Sequence, residues 1–201
     1  MTTPLLFVDL ETTGLDPRAR YAGILELGLR LVSPDLEVLA ARSWVVPYPE
    51  AWIRVARAAA DEPVREMHDA SGLWAECADR AFVDADHPFV DALRWVKALE
   101  AGSAPLAGSS VHFDRGWLER HLPRLVEGRT YRLADVSAMR ELVSRFGPVG
   151  HRLVATRPSA PVKAHRVDPD LDASLAELRH YRDAVAHGLV LLEEQRAGGA
   201  S

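Results

Sequence analysis

The sequence predicts an α/β fold, and three features predict it. Short apolar runs at residues 5–10, 24–32 and 36–46 read as three strands in close succession. Two later runs, 104–108 and 131–136, read as strands that lie next to segments of helical period. A final segment from about Asp170 sets Leu171, Leu175, Leu178, Val185, Leu189 and Leu192 along one helical stripe. Five strands interspersed with amphipathic helices make a layered sheet-and-helix domain.

The first strand stops at Glu11-Thr12-Thr13-Gly14-Leu15-Asp16-Pro17, where Gly14 and the Asp-Pro pair signal a turn. Ser33-Pro34-Asp35 predicts the hairpin turn between the second and third strands, so the chain opens as a β-meander whose first strand ends in acids. Residues 50–80 are helical in pattern, broken at Asp61-Glu62-Pro63 and at Ser71-Gly72. A helix over 88–100 carries Phe89, Leu93, Val96 and Leu99 on one face, and another spans 113–122. The strand at 131–136 runs into a helix ending near Phe146. Residues 147–164, rich in Gly and Pro without a clear period, are expected to form a loop. Asp168 is the expected N-cap of the last helix and Pro169 its first residue. One domain over 1–195 is expected, followed by a disordered tail at 196–201.

Composition narrows the function. An apolar share of 48% with 26% charged residues is that of a soluble domain. The lone Cys77 excludes an intramolecular disulfide and a thiolate metal site. No signal-peptide pattern opens the chain, and no stretch reaches the roughly 18 apolar residues of a membrane span, so a cytoplasmic protein without a membrane partner is expected. The net charge of −5 counts against holding long duplex by bulk electrostatics. Between Asp114 and Arg166, however, ten Arg and one Lys face five acids. Acids for cations and guanidiniums for phosphates suit a metal-assisted phosphodiesterase, although any single Arg there also fits a solvated surface.

Asp9 and Glu11, two apart on a strand, project from one face. Asp114 begins a helix after a strand, and His165 ends the 147–164 segment five residues before Asp170. Taken singly, these are also a solvated turn, a helix-starting acid and a loop histidine. Taken together, they make a site for phosphodiester hydrolysis: Asp9, Glu11, Asp114 and Asp170 as oxygen ligands for two divalent cations, and His165 as general base. His112 is read as no ligand, Asp135 as a hydrogen-bonding structural acid, and Trp44, Trp52, Trp74, Trp95 and Trp117 as core or subunit contacts.

These motifs resemble those of the DEDDh exonucleases, and most closely the oligoribonucleases. Phe-Val-Asp9-Leu-Glu11-Thr-Thr-Gly is similar to their first motif, Gly108-Ser-Ser110-Val-His-Phe-Asp114 to the second, and His165 with Asp170 to the H-x₄-D third. His68-Asp-Ala-Ser71-Gly72-Leu73, Tyr131-Arg132-Leu-Ala-Asp135-Val136-Ser137 and Ser174-Leu-Ala-Glu177-Leu-Arg-His-Tyr181-Arg182 resemble further oligoribonuclease segments. The resemblance implies an RNase H-like fold, with a central mixed five-stranded sheet flanked by helices. It implies two Mg²⁺ or Mn²⁺ ions, a homodimer, and 3′→5′ hydrolysis of short single-stranded RNA to 5′-mononucleotides. It also implies substrate contacts at Leu15, His68, Ser110, Tyr131, Arg132 and Ser137, with Leu15 wedging between bases. Read from its residues alone, Tyr131 is instead a packed strand tyrosine. Pro63, Ser109, Phe113, Ala138 and Pro169 depart from the family pattern without removing a catalytic group. A DNA exonuclease with the same chemistry and a non-catalytic nucleic-acid-binding module are the alternatives.

Overall fold

The computed structural model describes residues 3–79, 87–158 and 165–198, with 189–198 described by backbone alone. Five strands form one sheet: β1 Leu5–Thr12, β2 Ile24–Val32, β3 Val38–Val45, β4 Leu106–Gly108 and β5 Leu133–Asp135. Their order is β3-β2-β1-β4-β5. The meander β1-β2-β3 is antiparallel, whereas β4 and β5 join parallel to β1, which makes the sheet mixed. Among the described residues the helices are α1 Glu50–Ala59, α2 Glu62–Ala70, α3 Leu73–Asp79, α4 Pro88–Ala98, α5 Val111–His121, α6 Pro123–Val126, α7 Val136–Val143, α8 Gly147–Ala155 and α9 Val167–Gly198. None of them is long and apolar enough to cross a membrane.

Side chains alternate across a strand, and that alternation divides the core. Leu6, Val8 and Leu10 of β1 face a cluster with Val96 of α4, Trp117 and Leu118 of α5, and Leu125 of α6. Phe7 faces the other way and packs with Val136 of α7 and with Leu171 and Leu175 of α9. Asp9 and Glu11 continue the Phe7 face. Burying Leu171 and Leu175 contributes roughly 2 kcal/mol each, and this seats the head of α9 on the acid-bearing face. Arg30 of β2, on the same face, adds a tie through Asp172 and through the Asp168 carbonyl at 3.0 Å.

Four expectations are corrected. The predicted loop at 147–164 holds a helix, α8, over Gly147–Ala155; its glycines serve packing and turning rather than disorder. Gly147 has φ +68° after α7, Pro148 stands in the first turn, and a Cβ on Gly150 would lie 2.0 Å from the Val143 carbonyl. Residues 159–164 lie outside the described residues. The last helix begins at Val167, so Asp168 is inside the first turn rather than the cap, and Pro169 occupies a position whose N–H has no helical partner in any case. It also continues to Gly198, through the strong helix formers of 191–197, leaving only 199–201 of the expected tail outside the described residues. Finally, Tyr131 is not packed. It precedes β5 and is 78% exposed.

Candidate active site

The acid-bearing face is assembled by packing. Gly28 pairs with Asp9 across the β1–β2 ladder, and a Cβ there would lie 2.7 Å from Leu171 and 2.8 Å from Val167. Glycine at this position lets the first turn of α9 lie directly on the sheet. Asp170 is therefore delivered to the strand acids, and ligand oxygens of Asp9, Glu11 and Asp170 all lie within 4.8 Å of one another. Asp114, in the first turn of α5, is buried at 4% exposure and stands outside that closest group. Its charge still reaches Asp9. The backbone amides of Leu10 and of Asp114 itself favour its ionised form. A Cβ on Gly108 would meet the Val8 carbonyl at 2.6 Å, so this glycine lets the β4–α5 turn approach β1 closely enough to bring Asp114 in.

The acids crowd one another away from water. Burial, then the charges of Asp114, Glu11, Asp170 and Glu26, hold the Asp9 carboxyl well above the usual carboxylate range. Burial and the charges of Asp170 and Glu26 push Glu11 up to about 8, against the opposing pull of Arg166. Burial pushes Asp114 up to about 7. Buried carboxylates that resist ionisation are the electrostatic counterpart of a cation site, since a divalent ion reverses each of these shifts. An all-oxygen donor set suits Mg²⁺ or Mn²⁺.

His165 is half-buried at the head of α9, with its backbone in the left-handed region at φ +47°. Burial first, and then the nearness of His165, disfavour a charge on His68. The structure places His68 differently from a substrate contact. Its ring is 0% exposed, with Nε2 2.9 Å from the Thr12 carbonyl, Nδ1 3.8 Å from Glu11 Oε2 and Trp74 edge-on. It lies beneath Glu11, not beside the solvent.

Of the other substrate candidates, Ser110 and Ser137 line the main cleft. A cleft of about 600 Å³ runs from Asp9 and Asp170 past Ser109, Ser110, Ser137 and Arg140 to Arg157. Ser110 Oγ and Ser137 Oγ are 3.2 Å apart at its edge. Asp135 holds this edge together by accepting from the Ser110 amide at 3.1 Å and capping α7 through the Ala138 amide at 3.0 Å. His112 is exposed, 3.3 Å from Asp135 and outside the acid group. Arg132 is exposed and its guanidinium lies 5.9 Å from the Tyr131 ring. Leu15 is 75% exposed on the β1–β2 loop and borders a second cleft with Tyr21, Ala56 and Ala60.

Sequence reasoning missed Gly28 and the pair Arg140 and Arg157. A glycine inside an otherwise apolar strand signals close backbone approach and was there to be read. The arginines carried no local signal, because their place in the cleft depends on the buried Glu177, which Arg140 grips with both guanidinium arms and whose Oε1 lies 3.7 Å from Arg157.

No family model matches the chain. It is 34% identical over 190 residues to the oligoribonuclease of Streptomyces coelicolor, covering 92% of this chain and 88% of that protein. It is 32% identical over 183 residues to that of Vibrio cholerae, covering 90% of this chain and 94% of the relative. Against the mouse mitochondrial oligoribonuclease it is 30% identical over 190 residues, covering 92% of this chain and 74% of the relative. Among solved structures it resembles a zinc-bound E. coli exonuclease I–single-stranded DNA complex at a TM-score of 0.59 and 12% identity. There it covers 92% of this chain but only 41% of the larger one. A further exonuclease I structure gives 0.61 at 14% identity, covering 90% of this chain and 41% of that one. These likenesses identify the sheet and its helices as the RNase H-like exonuclease fold. With the acids gathered at the end of β1 and relatives matched over nearly their whole length, the chain belongs to the oligoribonuclease family.

Proposed function

We propose that this protein is a metal-dependent 3′→5′ exonuclease that hydrolyses short oligoribonucleotides to 5′-mononucleotides. The observation that carries the reading is the convergence of the Asp9, Glu11 and Asp170 oxygens within 4.8 Å in a buried, acid-crowded setting. Asp9, Glu11, Asp114 and Asp170 would hold two divalent cations. Bound there, such ions supply neutralisation of the phosphate and acidification of the attacking water.

The remaining steps belong to the chain's own groups. An unprotonated ring nitrogen of His165 takes the proton from water as its oxygen bonds to phosphorus. The bond from phosphorus to the 3′ oxygen of the penultimate nucleotide then breaks. The terminal nucleotide leaves with a 5′-phosphate, and the departing 3′ oxygen takes a proton from solvent, so the shortened chain ends in a 3′-hydroxyl. Arg140 and Arg157 give the cleft positive charge for the phosphates of a short chain, with Ser110 and Ser137 as hydroxyl partners. Leu15, exposed at 75%, offers an apolar edge to a base.

A homodimer suits the surface. Leu142, Phe146, Val149 and Val185 are 56–68% exposed on α7, α8, the turn between them and α9. A patch of that kind is what a second copy covers. Cys77, the one cysteine of the chain and buried, fits a reducing compartment such as the cytoplasm.

The test gives the purified protein 5′-labelled RNA and DNA of two, five and twenty nucleotides, with Mg²⁺ or with EDTA. Metal-dependent shortening from the 3′ end, fastest on the shortest RNA, is expected. Faster digestion of DNA or of the longest RNA would transfer the chemistry to another substrate, and no cleavage with Mg²⁺ or Mn²⁺ would leave a binding module.

A further inference from the structure

Glu26 lies directly opposite Glu11 in the β1–β2 ladder, so two glutamates share the acid-bearing face of the sheet. Like charges opposite one another destabilise a sheet unless a cation intervenes. Arg166 intervenes. Its Nε and Nη2 each lie 2.8 Å from a different oxygen of Glu26, a two-armed fork, and Nη2 also lies 2.9 Å from Glu76 Oε2 on α3. The Val167 amide donates to the same Glu26 at 3.3 Å. Both residues that follow His165 are thus bound to one carboxylate, and Glu26 is only 4% exposed. His165 itself sits at φ +47°, a conformation that residues other than glycine keep only when their surroundings impose it.

We propose that Glu26 and Arg166 are positioning residues for His165: the Glu26–Arg166–Glu76 fork, with the Val167 amide, sets the left-handed turn that presents the imidazole at the head of α9. The fork joins three separate elements, β2, α3 and the start of α9, so the histidine is tied to the sheet. Arginine is required for the geometry, because a lysine ammonium carries the charge without the planar fork. The inference rests on His165 acting as the base in the proposed hydrolysis.

Glu26→Gln tests it, since glutamine keeps the shape and an acceptor for the Val167 amide but loses the ionic fork. With Mg²⁺ and a labelled dinucleotide, kcat is expected to fall about 10- to 100-fold with KM little changed, as for a displaced catalytic group. In a His165→Ala background, Glu26→Gln is expected to cost nothing further, because the group it positions is already gone. In metal-free protein, the backbone NMR shifts of His165 are expected to leave left-handed values in Glu26→Gln. Arg166→Lys is expected to be more impaired than wild type and less than Arg166→Gln, a comparison that carries the test if Glu26→Gln does not fold. Equal losses in both backgrounds, or left-handed shifts that persist without the fork, would overturn the proposal. A wild-type protein without turnover would remove the proposed function, and the NMR comparison would still decide whether the fork holds the turn.

Discussion

Replacing Glu11 by glutamine should make the metal-free protein more resistant to alkaline conditions while disabling its response to metal. Glu11 has an ordinary value of 4.5 and is pushed up to about 8 by burial and by the charges of Asp170 and Glu26. Below pH 4.5 the folded and unfolded chains both hold this proton. Between 4.5 and about 8 the unfolded chain has released it and the fold has not, so stability declines as pH rises through that window. From pH 5 to pH 8 the loss from this one group is on the order of 3 to 4 kcal/mol. Glutamine is neutral throughout and carries no such loss. Urea unfolding in EDTA at the two pH values reads the difference: the mutant's advantage over wild type should widen with pH, moving the urea midpoint by more than about 1 M. Mg²⁺ or Mn²⁺ should restore the wild type at pH 8 and do much less for the mutant, because the ion binds the ionised carboxylates. Parallel pH dependences for the two proteins would refute the reasoning.

Asp114→Asn should abolish turnover and leave the melting temperature equal or higher, since the substitution removes a buried acid at constant shape; retained turnover would show that Asp114 holds no ion. His165→Ala should slow hydrolysis by roughly 10²–10⁴ while calorimetric metal binding persists, and a wild-type pH–rate profile in that variant would count against a base at this position. Arg132→Ala should slow dinucleotides more than twenty-nucleotide RNA if the exposed guanidinium caps a short substrate; equal slowing would place it elsewhere.

The strands and the gathering of Asp9, Glu11 and Asp170 were legible because each is written locally. Two-residue spacing put Asp9 and Glu11 on one face, and Asp61-Glu62-Pro63 and Ser71-Gly72 marked the breaks between α1, α2 and α3. The spacing from His165 to Asp170 pointed to the head of α9, which the structure lays across β1. What failed was local signal with a tertiary cause. Gly147, Pro148 and Gly150 read as loop by composition, yet the proline opens α8 and Gly150 lets it close on the Val143 carbonyl. Asp168-Pro169 resembled a helix start, but burial of Val167 and capture of its amide by Glu26 begin the helix earlier. His68 carried a recognisable motif and ended beneath the site, because Trp74 and the Thr12 carbonyl enclose its ring. Glu26 and Arg166, 140 positions apart, showed nothing until the fold joined them.

The central claim is that the acids at the end of β1 hold the ions on which hydrolysis depends. Crystals grown with Mn²⁺ and measured at the manganese absorption edge test it most directly. Anomalous peaks bounded by Asp9, Glu11 and Asp170, with Asp114 drawn to one of them, are predicted. Manganese found only elsewhere, or no peak against these carboxylates at a concentration that supports turnover, would contradict the account.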